Sequence, residues 1–223
     1  GAPTAGNHAV NTANAVLSGF RITPSGTIDF TALTLTTSGT ATSSDLSNFR
    51  VVYDADNSGT YNGGDTIASS TNAIGATIAF TVYGQTGFSA ARRYLVIANV
   101  AAAGTAGATF TGGIAAAGDV TTTGTESGSA AGNQQTITGT VAIDNTGAPV
   151  AGTVAGGTAD AVLSGFRLTP TGTISFTSVK LTITGTATSS DLTSFRVAYD
   201  VNNNGTYEGG TDTIASDTNT IGS

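Results

Sequence analysis

Cysteine, methionine and tryptophan are all missing from the 223 residues. Without cysteine there are no disulfides, no thiolate metal ligands and no cysteine nucleophile. A single histidine, His8, leaves Ser-His-Asp and Cys-His catalytic pairs almost nothing to build on, so an enzyme is not expected. Charge is scarce too. Asp, Glu, Lys and Arg make up 9% of the chain, and the 14 acidic residues outnumber the 7 basic ones. So few cations argue against a nucleic-acid partner, whose phosphates need clustered Lys and Arg. The net charge of -7 favours attraction of cations instead. No run is long and apolar enough to span a bilayer as a helix, so no membrane insertion is expected. The start at Gly1, without methionine, is the mark of a processed or cropped chain.

What the chain does have is itself, twice. Gly1-Ala2-Pro3 returns as Gly147-Ala148-Pro149. Residues 14–21 return as 160–167, and Thr40–Leu46 returns as Thr186–Leu192. Ser223 aligns with Ala76, so the sequence holds one module and the first half of another. The expected organisation is a linker at 1–13, a complete module at 14–144, a second linker at 145–159 and a half-module at 160–223. Repeated modules usually build arrays, spacers or fibres.

Residue patterns within the module are those of strands. Val16, Ser18, Phe20 and Ile22 alternate against Arg21. Thr27–Thr37 is β-branched and aromatic, with a slip near Ala32 that signals a bulge or a change of partner. Phe49, Val51 and Tyr53 alternate, as do Ile78, Phe80 and Val82. Tyr94–Val100 is a nearly continuous apolar run, the mark of a central strand. Thr109–Ile114 is a weaker strand. Ile137, Val141 and Ile143 predict one apolar face, with Thr136, Thr138 and Thr140 opposite. Ser89–Arg93 and Asn99–Ala103 allow a helical turn at most. Roughly seven or eight short strands separated by Gly/Asn/Ser/Asp turns predict an all-β fold: an antiparallel β-sandwich of immunoglobulin-like type, or alternatively a closed barrel.

The motif richest in chemistry runs from Asp54 to Asp65. Counted from Asp54 as the first of twelve positions, Asp54, Asp56, Ser58 and Asn62 put side-chain oxygens at positions 1, 3, 5 and 9. Thr60 at position 7 offers its carbonyl, Gly59 permits the tight turn, and Asp65 closes position 12. Calcium is a hard ion that takes six to eight oxygens, and this spacing wraps a chain around it. Asp at the last position and the flanking strands distinguish it from a helix–loop–helix site. The second copy supplies Asp200, Asn202, Asn204, Thr206 and Glu208, then inserts one residue before Asp212, so its coordination should be weaker or altered. An Asn/Asp/Gly hairpin turn without metal accounts for the same residues.

Asp45 and Asp191, in the repeated Thr-Ser-Ser-Asp-Leu, suit an Asx-type turn or a further Ca2+ ligand. Arg92-Arg93 is a small dibasic patch, either solvated or paired with acidic loops of a neighbour. Arg21/Arg167 and Arg50/Arg196 recur and suit structural or inter-module roles. Lys180 is the only lysine, and Thr34 replaces it in the first copy, which weighs against an intramolecular Lys–Asn crosslink. Asn204-Gly205-Thr206 matches an N-glycosylation sequon but overlaps the proposed metal loop. His8 reads as exposed filler.

The run from Gly19 through Phe49-Arg-Val-Val-Tyr-Asp54 to Gly64-Asp65-Thr66-Ile67 resembles the repeated modules of large bacterial secreted and cell-surface proteins, in which a strand ends in a dockerin-like, Asp-rich loop. The resemblance covers 15–143 and again 161–223. It implies an extracellular β-sandwich with a stalk, adhesin or filament role. The expected function is therefore a structural subunit of an extracellular filament or surface array, built head to tail from calcium-stabilised repeats. Residues 160–223 carry Phe166, Ile174, Phe176, Phe195 and Val197, an apolar set that half a module cannot bury alone. Either a neighbouring copy covers it, giving a homopolymer by strand or half-module complementation, or the rest of a longer polypeptide does. The alternative is a calcium-dependent adhesin or carbohydrate-binding stalk, with Tyr61 and Tyr207 at the loop tips as candidate contacts.

Overall fold

A computed structural model describes residues 2–216 and 219–220. Gly1 of the expected linker, and residues 217–218 and 221–223 of the expected half-module, lie outside the described residues. The chain is all-β. Among the described residues the one helical element is a 3-10 turn at Ala117–Asp119, and neither helical turn allowed for above forms. The chain divides into two compact units. Unit 1 comprises residues 1–140 with 170–174, and unit 2 comprises residues 141–169 with 175–223.

Unit 1 contains two sheets. The first joins strands β2 (Ala15–Ile22), β7 (Arg92–Val100), β4 (Leu46–Asp54) and β5 (Thr66–Ile67), in that order. The second joins β1 (Gly6–Ala9), β10 (Gln135–Thr138), β8 (Thr109–Gly113), β3 (Phe30–Gly39) and β6 (Thr77–Thr81), with β9 (Val120–Thr122) also paired to β3. Pairing is antiparallel throughout except between β1 and β10. The inner faces of both sheets share one apolar cluster. Leu17, Phe20, Phe49, Val51, Tyr94 and Val96 come from one side, and Phe30, Leu33, Leu35, Ile78, Phe80 and Phe110 from the other. Two sheets with a common core place the fold in the β-sandwich class.

As its apolar composition requires, β7 is the central strand, and Tyr94–Ala98 is fully buried. Tyr94 stacks on Phe20 at 5.4 Å and meets Phe30 edge-on at 4.9 Å. Burial pushes its phenol up to about 12, and its hydroxyl donates to Gln85 Oε1 at 3.0 Å. Ser18 is buried between the sheets and donates to the carbonyl of Gly112 at 2.6 Å. A Cβ on Gly112 would lie 2.8 Å from Leu35 Cδ2, so the close approach needs glycine.

Several expectations change. In β2 the register shifts between Val16 and Ser18. The bulge turns Leu17 inward and sends Val16 to the outer face, where it joins Val52, Leu95 and Ile97. The slip near Ala32 is a bulge opposite β9 and also a change of partner, since β9 takes Phe30–Leu33 and β8 takes Thr36–Gly39. The stretch read as the first linker contributes β1. His8, on that strand, is half-buried and donates to Gln135 Oε1 at 3.2 Å, so it is not mere exposed filler. Ile137 does not share a face with Val141 and Ile143. Ile137 is buried in β10, whereas Val141 and Ile143 are exposed on a separate strand, β11 (Val141–Asp144). The chain leaves unit 1 after Thr140, four residues earlier than the expected module boundary.

Unit 2 is organised differently. It pairs β11 with β12 (Arg167–Pro170), and β13 (Ala198–Tyr199) with β14 (Thr213–Ile214). No described residue beyond Ile137 is buried. Phe176, Val179 and Leu181 are 40–49% exposed, while their counterparts in the first repeat, Phe30, Leu33 and Leu35, are buried. The reason lies in the topology. In the first repeat β2 and β4 both bond to β7, and β3 bonds to β6, β8 and β9. None of those partners has a counterpart within residues 160–223. Only the β4–β5 pair is self-sufficient, and it does form: Ala198↔Ile214 and Tyr199↔Thr213 reproduce Val52↔Ile67 and Tyr53↔Thr66.

Candidate metal centre

The first acidic loop connects β4 to β5, and its six expected ligands form one hydrogen-bonded network. Asp54, the last residue of β4, is fully buried. Its Oδ1 accepts from Ser58 N at 3.0 Å and its Oδ2 from Gly59 N at 2.9 Å. Gly59 and Asn57 take positive φ, 78° and 56°, which folds the chain back over Asp54. Asp65, just before β5, ties the loop shut, with Oδ1 accepting from Ala55 N at 3.0 Å and Oδ2 from Asn62 N at 2.9 Å. Ser58 Oγ donates to the carbonyl of Thr60 at 3.0 Å, and Asn62 Nδ2 donates to Asp56 Oδ2 at 3.0 Å. Carboxylate oxygens of Asp54, Asp56 and Asp65 come within 4.8 Å of one another, and among the described residues this is the only such group. Hydrogen bonds from Ser58 and Asn62 hold the Asp56 carboxyl down at about 2.

One cation already serves this cluster. Arg93 Nε lies 3.3 Å from Asp54 Oδ2, and Arg93 Nη1 donates to the carbonyl of Asn57 at 3.2 Å. Asp54 and Arg93 are opposite each other across β4 and β7, so the strand register delivers the guanidinium to the loop. This overturns the reading of the dibasic pair as solvated or bound to a neighbour. Arg92 is equally engaged: its guanidinium lies over the Tyr53 and Phe88 rings, and Nη1 donates to Gln85 Oε1 at 2.9 Å. Tyr53–Asp54 and Arg93–Tyr94 could have been paired from sequence only with the β4–β7 register in hand.

The second loop keeps the same shape. Asn203 and Gly205 have φ of 57° and 77°, and Gly205 N donates to Asp200 Oδ2 at 2.8 Å. Asp212 accepts from Val201 N at 3.0 Å and Glu208 N at 2.8 Å, repeating the role of Asp65. The inserted residue, Thr211, is absorbed in a turn whose N–H bonds to the Glu208 carbonyl at 2.9 Å. Thr206 Oγ1 donates to Asn204 Oδ1 at 2.7 Å. The pair between positions 3 and 9 is exchanged. Asp56 with Asn62 in the first loop becomes Asn202 with Glu208 in the second, where Asn202 Nδ2 donates to Glu208 Oε2 at 2.8 Å. One carboxylate and one amide are kept in each case, as a hydrogen-bonded loop demands. Three carboxylates per loop are kept as well, but those of Asp200, Glu208 and Asp212 do not all come within 4.8 Å of one another as those of the first loop do.

Other marked residues have structural partners. Asp45 is buried at the start of β4, where its Oδ2 accepts from Thr42 N at 2.8 Å and its Oδ1 from Thr105 N at 2.7 Å. It is a turn residue, and among the described residues it belongs to no group of three acidic ligands within 4.8 Å of one another. Asp191 repeats the local half of this arrangement with Thr188. Arg50 bonds Asn14, and Arg196 pairs with Asp160 at the equivalent place. Arg167 pairs with Asp144 at 2.8 Å. Tyr61 packs against the outer cluster of Val52, Leu95 and Ile97 and so covers the sheet rather than standing free. No protein-family model and no curated protein sequence matches the chain.

Proposed function

We propose that the chain is a structural subunit of an extracellular filament or surface array, assembled head to tail from immunoglobulin-like β-sandwich repeats of the bacterial secreted and cell-surface type and stiffened by calcium in the β4–β5 loops. The observation that carries this reading is the second repeat. It repeats the sequence of the first half of the module, yet of that half's strand pairs forms only β13–β14 and buries no residue among those described, and the residues that would cover it correspond to Thr77–Thr138. A face of this kind is stable when strands of the same pattern are laid against it, and a repeating surface that must be covered by its neighbour propagates. Calcium, held by Asp54, Asp56 and Asp65 with the Thr60 carbonyl, would bind the folded hairpin and so stabilise it by linkage. Asp200, Glu208 and Asp212 give the second loop the same charge.

Two measurements test the proposal. A polypeptide with the sequence of residues 74–144 is added to the full chain, and amide exchange is followed. Slowed exchange at Val162–Arg167 and Phe195–Tyr199 is expected, and unchanged exchange rejects completion by such strands. Electron microscopy of the mixture with calcium, repeated after chelation, tests the array. Ordered fibres that loosen without calcium are expected, and dispersed particles under both conditions reject it.

A further inference from the structure

The acidic loop lies across the outer face of a sheet. On that face the β4–β7 register sets Asp54 beside Arg93, Val52 beside Leu95 and Arg50 beside Ile97. On the flanking strands Gly19 is opposite Leu95, Val16 is opposite Ile97 and Ile67 is opposite Val52. An apolar patch therefore runs over the side of the sheet that faces away from the core. Solvent should reach it, yet Val52, Leu95 and Ile97 are 0% exposed. Three partly buried apolar side chains pack on this trio: Val16, Ile67 and Tyr61. Val16 and Ile67 belong to the sheet itself, so Tyr61 alone among them comes down on it from outside.

Tyr61 sits amid the candidate ligands, between Thr60 and Asn62. Both neighbours are fixed at the cluster. Ser58 Oγ donates to the Thr60 carbonyl at 3.0 Å. Asn62 donates through Nδ2 to Asp56 Oδ2 at 3.0 Å and through its N–H to Asp65 Oδ2 at 2.9 Å. The loop also rests on β7 at a second point. Arg93 Nη1 donates to the Asn57 carbonyl at 3.2 Å, and a Cβ on Gly59 would lie 2.6 Å from Arg93 Nη2, so the Gly59 backbone lies against the guanidinium.

We infer that this loop is a strap. Tyr61 is the latch that covers the outer apolar patch, and the Asp54, Asp56 and Asp65 cluster is the clasp that holds the latch down. The inference rests on the calcium reading above and adds its regulation. One short backbone segment carries both the ligands and Tyr61, so loading the cluster with a divalent cation and covering Val52, Leu95 and Ile97 are a single equilibrium. Linkage then runs both ways. A cation keeps the patch covered, and a ring that supplies no ligand tightens the hold on the cation. Tyr61 is a positioning residue.

The chain has no cysteine, so Ile97→Cys places a single reporter thiol on the patch. Its reaction with a maleimide reads how often the strap lifts, because a buried thiol reacts only from the open state. Val96→Cys, on the core side, reads unfolding of the whole unit. Leu95→Cys repeats the measurement should Ile97→Cys not fold. In chelator, adding Tyr61→Ala should speed labelling at position 97 about tenfold relative to position 96, and Tyr61→Phe, which keeps the ring, should not. Labelling at position 97 that ignores the ring, or equal acceleration at both positions, overturns the strap. Calcium should slow labelling at position 97 several-fold with Tyr61 in place. In titration calorimetry Tyr61→Ala should weaken calcium binding several-fold, and Tyr61→Phe should leave it unchanged. Equal affinity in the native and Tyr61→Ala chains overturns the coupling of clasp to latch. Absence of calcium binding by the native chain overturns the calcium reading and the clasp with it, while the strap stands or falls on the labelling in chelator.

Discussion

Replacing Asp45 with alanine should destabilise unit 1 by about 3 kcal/mol, and replacing Asp191 should not. The two residues sit in the same pentapeptide, Thr-Ser-Ser-Asp-Leu, so local sequence cannot tell them apart. Context does. Asp45 is buried and accepts two backbone N–H groups, from Thr42 at 2.8 Å and from Thr105, sixty residues away, at 2.7 Å. Hydrogen bonds to a charged acceptor contribute about 1.5–3 kcal/mol each, and the lower end applies because Thr42 and Thr105 are themselves exposed. Two such bonds give about 3 kcal/mol. Asp191 makes only the local bonds, to Thr188, in a segment that buries nothing. Its loss should leave unfolding of unit 1 within about 0.5 kcal/mol of native, as for distant independent sites. Urea unfolding of the full chain, followed by tyrosine fluorescence, measures both. With a slope near 1.5 kcal/mol/M, Asp45→Ala should lower the midpoint by about 2 M.

Acid gives a second view of the same residue. Burial alone would raise the Asp45 carboxyl, but hydrogen bonds from Thr105 and Thr42 outweigh it and hold the group below its ordinary value. Its contribution is therefore complete above the unfolded-state value near 3.9 and is lost as pH falls through the lower folded value. The gap between native and Asp45→Ala should narrow as pH falls below about 4. Equal shifts for the two alanine variants, or less than about 1 kcal/mol for Asp45→Ala, would refute the reasoning.

Further expectations follow from the same contacts. Gly112→Ala should cost about 1–3 kcal/mol in urea unfolding, because its methyl group meets Leu35 and the Phe110 ring; a neutral effect would mean the sheets can part. Arg93→Gln removes the counter-charge of Asp54 and should weaken unit 1 by about 2 kcal/mol while raising calcium affinity several-fold by titration calorimetry. Unchanged or weaker calcium binding in that variant would count against the loop as a cation site. Asp56 and Asp144 should titrate near 2 in carbon NMR spectra, Asp56 through bonds from Ser58 and Asn62, and Asp144 through Thr146 and Arg167. Values near 4 would show those bonds to be broken in solution.

How far the sequence reaches depends on which partner a residue needs. Strands whose alternation is uninterrupted, such as Phe49–Tyr53 and Ile78–Val82, were legible, and so was the central place of Tyr94–Val100. The parity of β2 was not, because a bulge at Val16 leaves no mark in hydropathy and reverses every later side chain. β1 was invisible for a different reason. Gly6-Asn7-His8-Ala9 has little strand preference of its own and is extended because β10 lies beside it. The loop from Asp54 to Asp65 was legible as a unit since its bonds are local, and it folds the same way at Asp200–Asp212 where no core supports it. Arg93 was missed because its place beside Asp54 is a property of register. Most strands of the first repeat have no counterpart in the second, since all but the β13–β14 pair depend on strands from the other half of the module.

That dependence has an arithmetical consequence. Residues 1–223 contain the first half of the module twice and the second half once. If copies of these residues exchange halves, any number of them, n, brings 2n first halves and n second halves. No ring, dimer or fibre made from them alone can balance that count, because the deficit is one per chain at every size. An array in which every repeat is covered must therefore draw one more second half per chain from other residues, or pair the uncovered faces with each other. These outcomes have different mass ratios, so weighing the assembled material tells them apart.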